Sequence, residues 1–132
     1  MAIKRFTVKE VEDAARDILL DTNEGAYRFE PKEIYSAMKD GLLRIRHERP
    51  SSRYVGGLLV DLEFVDGSTS TSDIPAVPGE DFKDYEVTME ERWKEAVVYY
   101  VVHRMYLKDD PDTKNDALAE RYFNMYKTAL GG

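Results

Sequence analysis

Apolar residues recur at helical spacing over Val8, Val11, Ala14, Ala15, Ile18 and Leu19. Just before them, Thr7-Val8-Lys9-Glu10 has the Ser/Thr-x-x-Glu form of a capping box, and Phe6 stands where a hydrophobic staple would. The pattern predicts a first helix over about 8–21. Pro31 then occupies a position where the first turn of a helix tolerates a missing N–H. A second helix is expected over 31–47, with Ile34, Tyr35, Met38, Leu42 and Ile45 on one face. Gly41, in the middle of that helix, costs up to about 1 kcal/mol relative to alanine. A glycine there suits a close helix contact.

Beyond Pro50-Ser51-Ser52 the period changes from helical to two: Leu58, Val60, Leu62 and Phe64 alternate with the acids Asp61 and Glu63, which reads as a strand. Asp66-Gly67 is a turn signal, so Ser68–Ser72 is expected to return as a short second strand ending at Ile74-Pro75. From 75 to 87, prolines, a glycine and acids predict an extended irregular loop. An isolated two-stranded hairpin is marginal in water, so the helices or a neighbouring subunit must cover its apolar side.

Thr88-Met89-Glu90-Glu91 supplies a second capping box, and a third helix is expected over 89–108. Between Val97 and Val102 six successive positions are apolar. A helix apolar all round is buried all round, here by its own hairpin partner or by a second subunit. The valines leave a strand open locally, whereas the capping box, Arg104 and Lys108 favour helix. Asp109-Asp110-Pro111-Asp112 ends it, and Ala117, Leu118, Tyr122, Phe123, Met125, Tyr126 and Leu130 mark a fourth helix over 112–130. The expected fold class is mainly α: a four-helix bundle-like single domain over 1–132, with a β-hairpin/loop insertion at 54–87 between helices 2 and 3.

Composition narrows the class. A chain of 132 residues, 42% hydrophobic and 34% charged, is neither disordered nor membranous in composition. It lacks any apolar run approaching the roughly 20 residues of a membrane span. The start, Met1-Ala2-Ile3-Lys4-Arg5, has no signal-peptide core, so the chain is expected in the cytosol or in a particle assembled there. The net charge of −7 is concentrated in 54–87, where eight acids face Lys83 alone, while the charges on either side nearly cancel. Such a surface repels phosphate backbones. There is no cysteine, and His47 and His103 have no companion at metal or catalytic spacing. Nucleophile motifs, phosphate loops and paired nucleotide-site glycines are also missing. No catalytic, cofactor-binding or metal-binding residue is assigned.

The stretch Trp93, Ala96–Val102, Arg104–Tyr106 and Lys108–Asp112, followed by Ala117, Ala119, Tyr122 and Tyr126, resembles the C-terminal hairpin of head-to-tail adaptor (connector) proteins from tailed bacteriophages. The likeness extends more loosely to the Arg44–Pro50 turn and the Ile74-Pro75 step. It implies a virion structural protein without catalysis or cofactor. Copies would form a dodecameric ring beneath the portal protein, extend the channel through which viral DNA passes, and present a platform to tail or nozzle proteins. The location implied is the virion neck, assembled in the host cytoplasm, with no membrane and no sequence-specific DNA binding.

Under that resemblance Asp61, Glu63 and Asp66 are channel-lining candidates, against the alternative of a solvated strand face. Only Gly131 and Gly132 follow the last helix, where such adaptors often carry a portal-docking extension, so docking would shift to Asn124, Met125, Tyr126 and Lys127. Arg44, Arg46, Arg49 and Arg53 are contact candidates for the portal or a neighbouring subunit. They would equally suit a phosphate clamp or a helix C-terminal dipole. Reversing Arg44 or Arg49 is expected to impair assembly more than folding. Trp93 and Tyr99 are either core or interface. The alternative function is a small DNA-binding or protein-interaction module; an enzyme has almost no support.

Overall fold

The computed structural model describes residues 5–21, 29–60, 64–65, 70–71, 85–108 and 116–131. The order is β1 (Arg5–Thr7), α1 (Val8–Leu19), α2 (Pro31–Glu48), β2 (Tyr54–Val55), β3 (Leu58–Leu59), β4 (Phe64–Val65), β5 (Ser70–Thr71), β6 (Glu86–Glu90), α3 (Lys94–Lys108) and α4 (Asp116–Ala129). Short 3-10 turns at Pro50–Arg53 and Glu91–Trp93 precede β2 and α3. The protein is a mainly helical, bundle-like domain with a hairpin insertion between α2 and α3.

Local chemistry starts the first two helices where the sequence places them. Thr7 Oγ1 accepts from Glu10 N at 3.1 Å, satisfying one free donor of α1, with Phe6 fully buried beside it. The far end of α1 closes in a Schellman turn, Asp21 N donating to Arg16 O, with Leu20 in the left-handed conformation at φ 57°. Pro31 opens α2, which buries Ile34, Tyr35, Ala37, Met38, Leu42 and Ile45. Gly41 faces Tyr100 so closely that a Cβ there would lie 2.8 Å from Tyr100 Cδ1. The glycine sets the α2–α3 approach.

The third helix begins at Lys94 rather than Met89. Glu86–Glu90 is instead a strand, central in the antiparallel order β1-β6-β4-β5, and Val87, Thr88 and Met89 are all buried. A strand flanked on both edges and covered on both faces outweighs the Thr88–Glu91 capping motif. The loop expected over 75–87 therefore ends in sheet. The single strand expected over Leu58–Phe64 is likewise divided: β3 pairs with β2 around Gly56-Gly57, at φ 61° and 84°, while β4 joins the four-stranded sheet and pairs with β5. Two successive positive-φ glycines form a two-residue hairpin turn. The β4–β5 pairing agrees with the expected return strand. The turn residues Asp66 and Gly67 lie outside the described residues, as do 109–115 between α3 and α4.

α3 is the axis of the core. Ala96, Val97, Val98, Tyr100, Val101, Val102 and Met105 are buried, and α1, α2 and α4 of the same chain supply the cover. No second subunit is needed to bury it. Trp93 belongs to this core, whereas Tyr99 is half-buried at its edge.

Candidate functional site

The end of α2 meets the middle of α3 and the last turns of α4 in a cluster of charge and aromatic rings. Arg44 Nε donates to Glu48 Oε1 at 2.8 Å, one helical turn along. Its guanidinium carbon lies 5.0 Å from the Phe123 ring centre and 5.9 Å from those of Tyr100 and Tyr126. Positive charge over ring faces is a cation–π arrangement. Tyr126 donates from its hydroxyl to Glu48 Oε2 at 3.0 Å, so Glu48 ties α2 to α4. Burial pushes the Glu48 carboxyl up, but hydrogen bonds from Arg44 and Tyr126 and the charges of Arg44 and Arg49 outweigh it, leaving the group below its ordinary range. The same burial, reinforced by Glu48, raises the Tyr126 phenol well above the usual tyrosine value.

The other three arginines also bond within the chain. Arg49 donates to Leu130 O at 3.2 Å and to Glu48 O at 3.1 Å, covering carbonyls where α4 and α2 end. Arg46 donates to Val60 O at 3.0 Å, holding the chain that leaves β3, and Arg53 reaches Arg46 O at 3.4 Å. Reversal of Arg44 or Arg49 would therefore strike the fold as well as any assembly. Arg104 ties α3 to α2, binding Asp40 at 2.9 Å and, on its own helix, the Tyr100 hydroxyl at 3.2 Å.

His103 sits against Phe123 and donates from Nδ1 to the Ala119 carbonyl at 2.8 Å. Desolvation and the nearby Arg104 and Arg44 lower its affinity for a second proton, against the opposing pull of that carbonyl. It is a helix-pairing histidine. Among the described residues no group of three His, Asp or Glu side chains is placed to hold a metal ion, and no helix is long and apolar enough to cross a membrane.

Around Asn124 the four docking candidates separate. Tyr126 is fully buried and belongs to the core; Lys127 Nζ lies 5.2 Å from the Phe123 ring centre and borders a shallow depression with His47 and Arg49. Asn124 and Met125 line a groove of about 810 Å³ between α3 and α4, together with Glu95, Tyr99, Ala117 and Glu120. Tyr99 donates to Glu95 Oε1 at 2.8 Å on its wall. A smaller hollow of about 280 Å³, reaching Ala14 and Ile18 of α1, shares Glu95 and Tyr99 with it. Elsewhere, the β2–β3 hairpin leaves Leu58 71% and Leu59 66% exposed, with Tyr54 beside them at 45%. The Gly56-Gly57 pair is the sequence signal for that hairpin. The channel-lining candidates Asp61, Glu63 and Asp66 lie outside the described residues.

Compared with protein-family models, curated proteins and solved structures, the chain matches none.

Proposed function

We propose that the chain is a non-enzymatic, ring-forming structural protein of a phage neck, a head-to-tail adaptor standing between the portal and the tail. The observation that carries this reading is a pair of apolar surfaces on one subunit that share no residue: the α3–α4 groove and the β2–β3 hairpin. A two-fold dimer reuses one patch, whereas a ring of identical copies needs two different patches that fit each other. The aromatic α3–α4 hairpin, with Trp93 at its head, supports the same reading through its likeness to the adaptor hairpin. A sequence-independent DNA clamp at Arg44–Arg53 gains no support, because these guanidiniums are bonded within the chain and the chain is acidic.

The test is to recover the protein from its native source through an N-terminal tag and to examine the complex by negative stain and intact-complex mass spectrometry. A ring on a portal-bearing particle, in stoichiometry with the portal, is the expected outcome. Recovery as a lone monomer, or on nucleic acid without virion proteins, would overturn the reading in favour of a small DNA-binding or protein-interaction module.

A further inference from the structure

We propose that copies of this chain join head to tail by seating the β2–β3 hairpin of one copy in the α3–α4 groove of the next. The inference rests on the assembly reading above and names its contact. Tyr54 and Leu59 are cross-strand partners, so they share one face of the hairpin, and Leu58 projects from the other. All three are exposed, which for two adjacent leucines on a turn is an unusual use of apolar surface. The tip is narrow because Gly56 and Gly57 carry no side chains, and their positive φ holds the turn tight.

The groove offers an apolar seat. Tyr99, Ala117, Met125 and Ala129 contribute apolar walls around a volume of about 810 Å³. Charge agrees in sign: around the hairpin exposed Arg53 and Arg92 outnumber Glu90, whose Oε2 accepts from Gly56 N, while Glu95 and Glu120 outnumber Arg121 at the groove. Because hairpin and groove have no residue in common, each copy can insert into one neighbour and receive from the other at once.

Cysteine cross-linking tests the contact cleanly, since the native chain has no cysteine. Tagged chains carrying L58C and M125C together, or each alone, are recovered from the native source and mildly oxidised. The double variant should give a ladder of dimers, trimers and higher species, and a mixture of the single variants should stop at dimers. A ring visible in negative stain without any ladder would overturn this contact and leave the assembly reading standing. Dimers alone from the double variant would mean reciprocal two-fold pairing and overturn the head-to-tail arrangement. Monomers with neither ring nor ladder would overturn the assembly reading and this inference together. As a second variant, Leu58→Asp should lower ring recovery at least about tenfold, because a carboxylate would be buried without a partner, while the melting temperature stays unchanged. Undiminished ring recovery would remove the hairpin from the interface.

Discussion

Arg16 and Arg44 each bond a glutamate four residues away on their own helix, yet the two arginine side chains are 3% and 41% exposed. The parallel goes further. Glu12, the partner of Arg16, accepts from the Tyr35 hydroxyl of α2 at 2.9 Å, just as Glu48, the partner of Arg44, accepts from Tyr126 of α4. One Arg–Glu–Tyr unit therefore pins α1 to α2 and the other pins α2 to α4. The difference is the medium. Around Arg16 water is excluded, and the guanidinium also binds Asp21 at 2.8 Å and Phe29 O at 3.0 Å, while Asp21 accepts from Phe29 N. Both ends of the α1–α2 connection are thus gathered on one cation. At Arg44 solvent screens the pair, and aromatic faces supply much of the environment. Identical side chains form a structural stitch in one place and a weakly held, half-open rim in the other.

Removing the buried cation should have the largest effect. Arg16→Met leaves Glu12 buried without the cation that pairs with it and removes the Arg16 contact of Asp21, and a loss of about 3–5 kcal/mol is expected in denaturant unfolding. A loss as small as that from Arg44→Met would erase the distinction between the two clusters. Next comes the helix contact beside the rim. Gly41→Ala drives a methyl into Tyr100, and overpacking of about 1–3 kcal/mol set against a helix-propensity gain of about 1 kcal/mol gives a net loss of up to about 2 kcal/mol. Stabilisation instead would show that α2 and α3 have room to separate.

Tyr126→Phe should cost about 1 kcal/mol, the worth of one hydrogen bond, and should change the alkaline limb of the stability curve. The folded chain holds the Tyr126 proton to higher pH than the unfolded chain, whose tyrosine ionises near about 10. This contribution is therefore complete below pH of about 10 and is lost as pH rises further, a slope that unfolding measurements should find reduced in the variant. The smallest effect belongs to Arg44→Met, at about 1 kcal/mol or less, combining an exposed i,i+4 pair with cation–π contacts. Measured side by side, the Arg16 and Arg44 variants give the weight of burial on one shared motif.

Some of this was legible in the residues. Thr7-x-x-Glu10, Pro31 and the apolar spacing of α2 act through neighbours within a turn or two, and all three appear where the pattern puts them. Gly41 was readable as a close-contact site, though its partner Tyr100 was not. The same Ser/Thr-x-x-Glu motif misled at Thr88–Glu91, since the competing sheet partners come from β1, about eighty residues earlier in the chain, and from β4. At Leu58–Phe64, period-two alternation suggested one strand, while the Gly-Gly pair before it split the pairing between two sheets. The arginines of 44–53 were visible as a basic run. That each is committed to a carboxylate or a carbonyl was not, because acceptors such as Leu130 O lie 81 residues away.

By itself the sequence determined the helical character, the starts of the first two helices, the missing thiol chemistry and the acidity of the insertion, because each depends on composition or on contacts within a few residues. Only the tertiary structure decided that α3 is enclosed by its own chain, that Glu86–Glu90 is a strand, that Tyr126 is core rather than surface, and that the β2–β3 leucines stand exposed. Those outcomes turn on which distant segments compete for the same buried face, and that competition is settled by packing and desolvation across the whole fold rather than by any local run of residues.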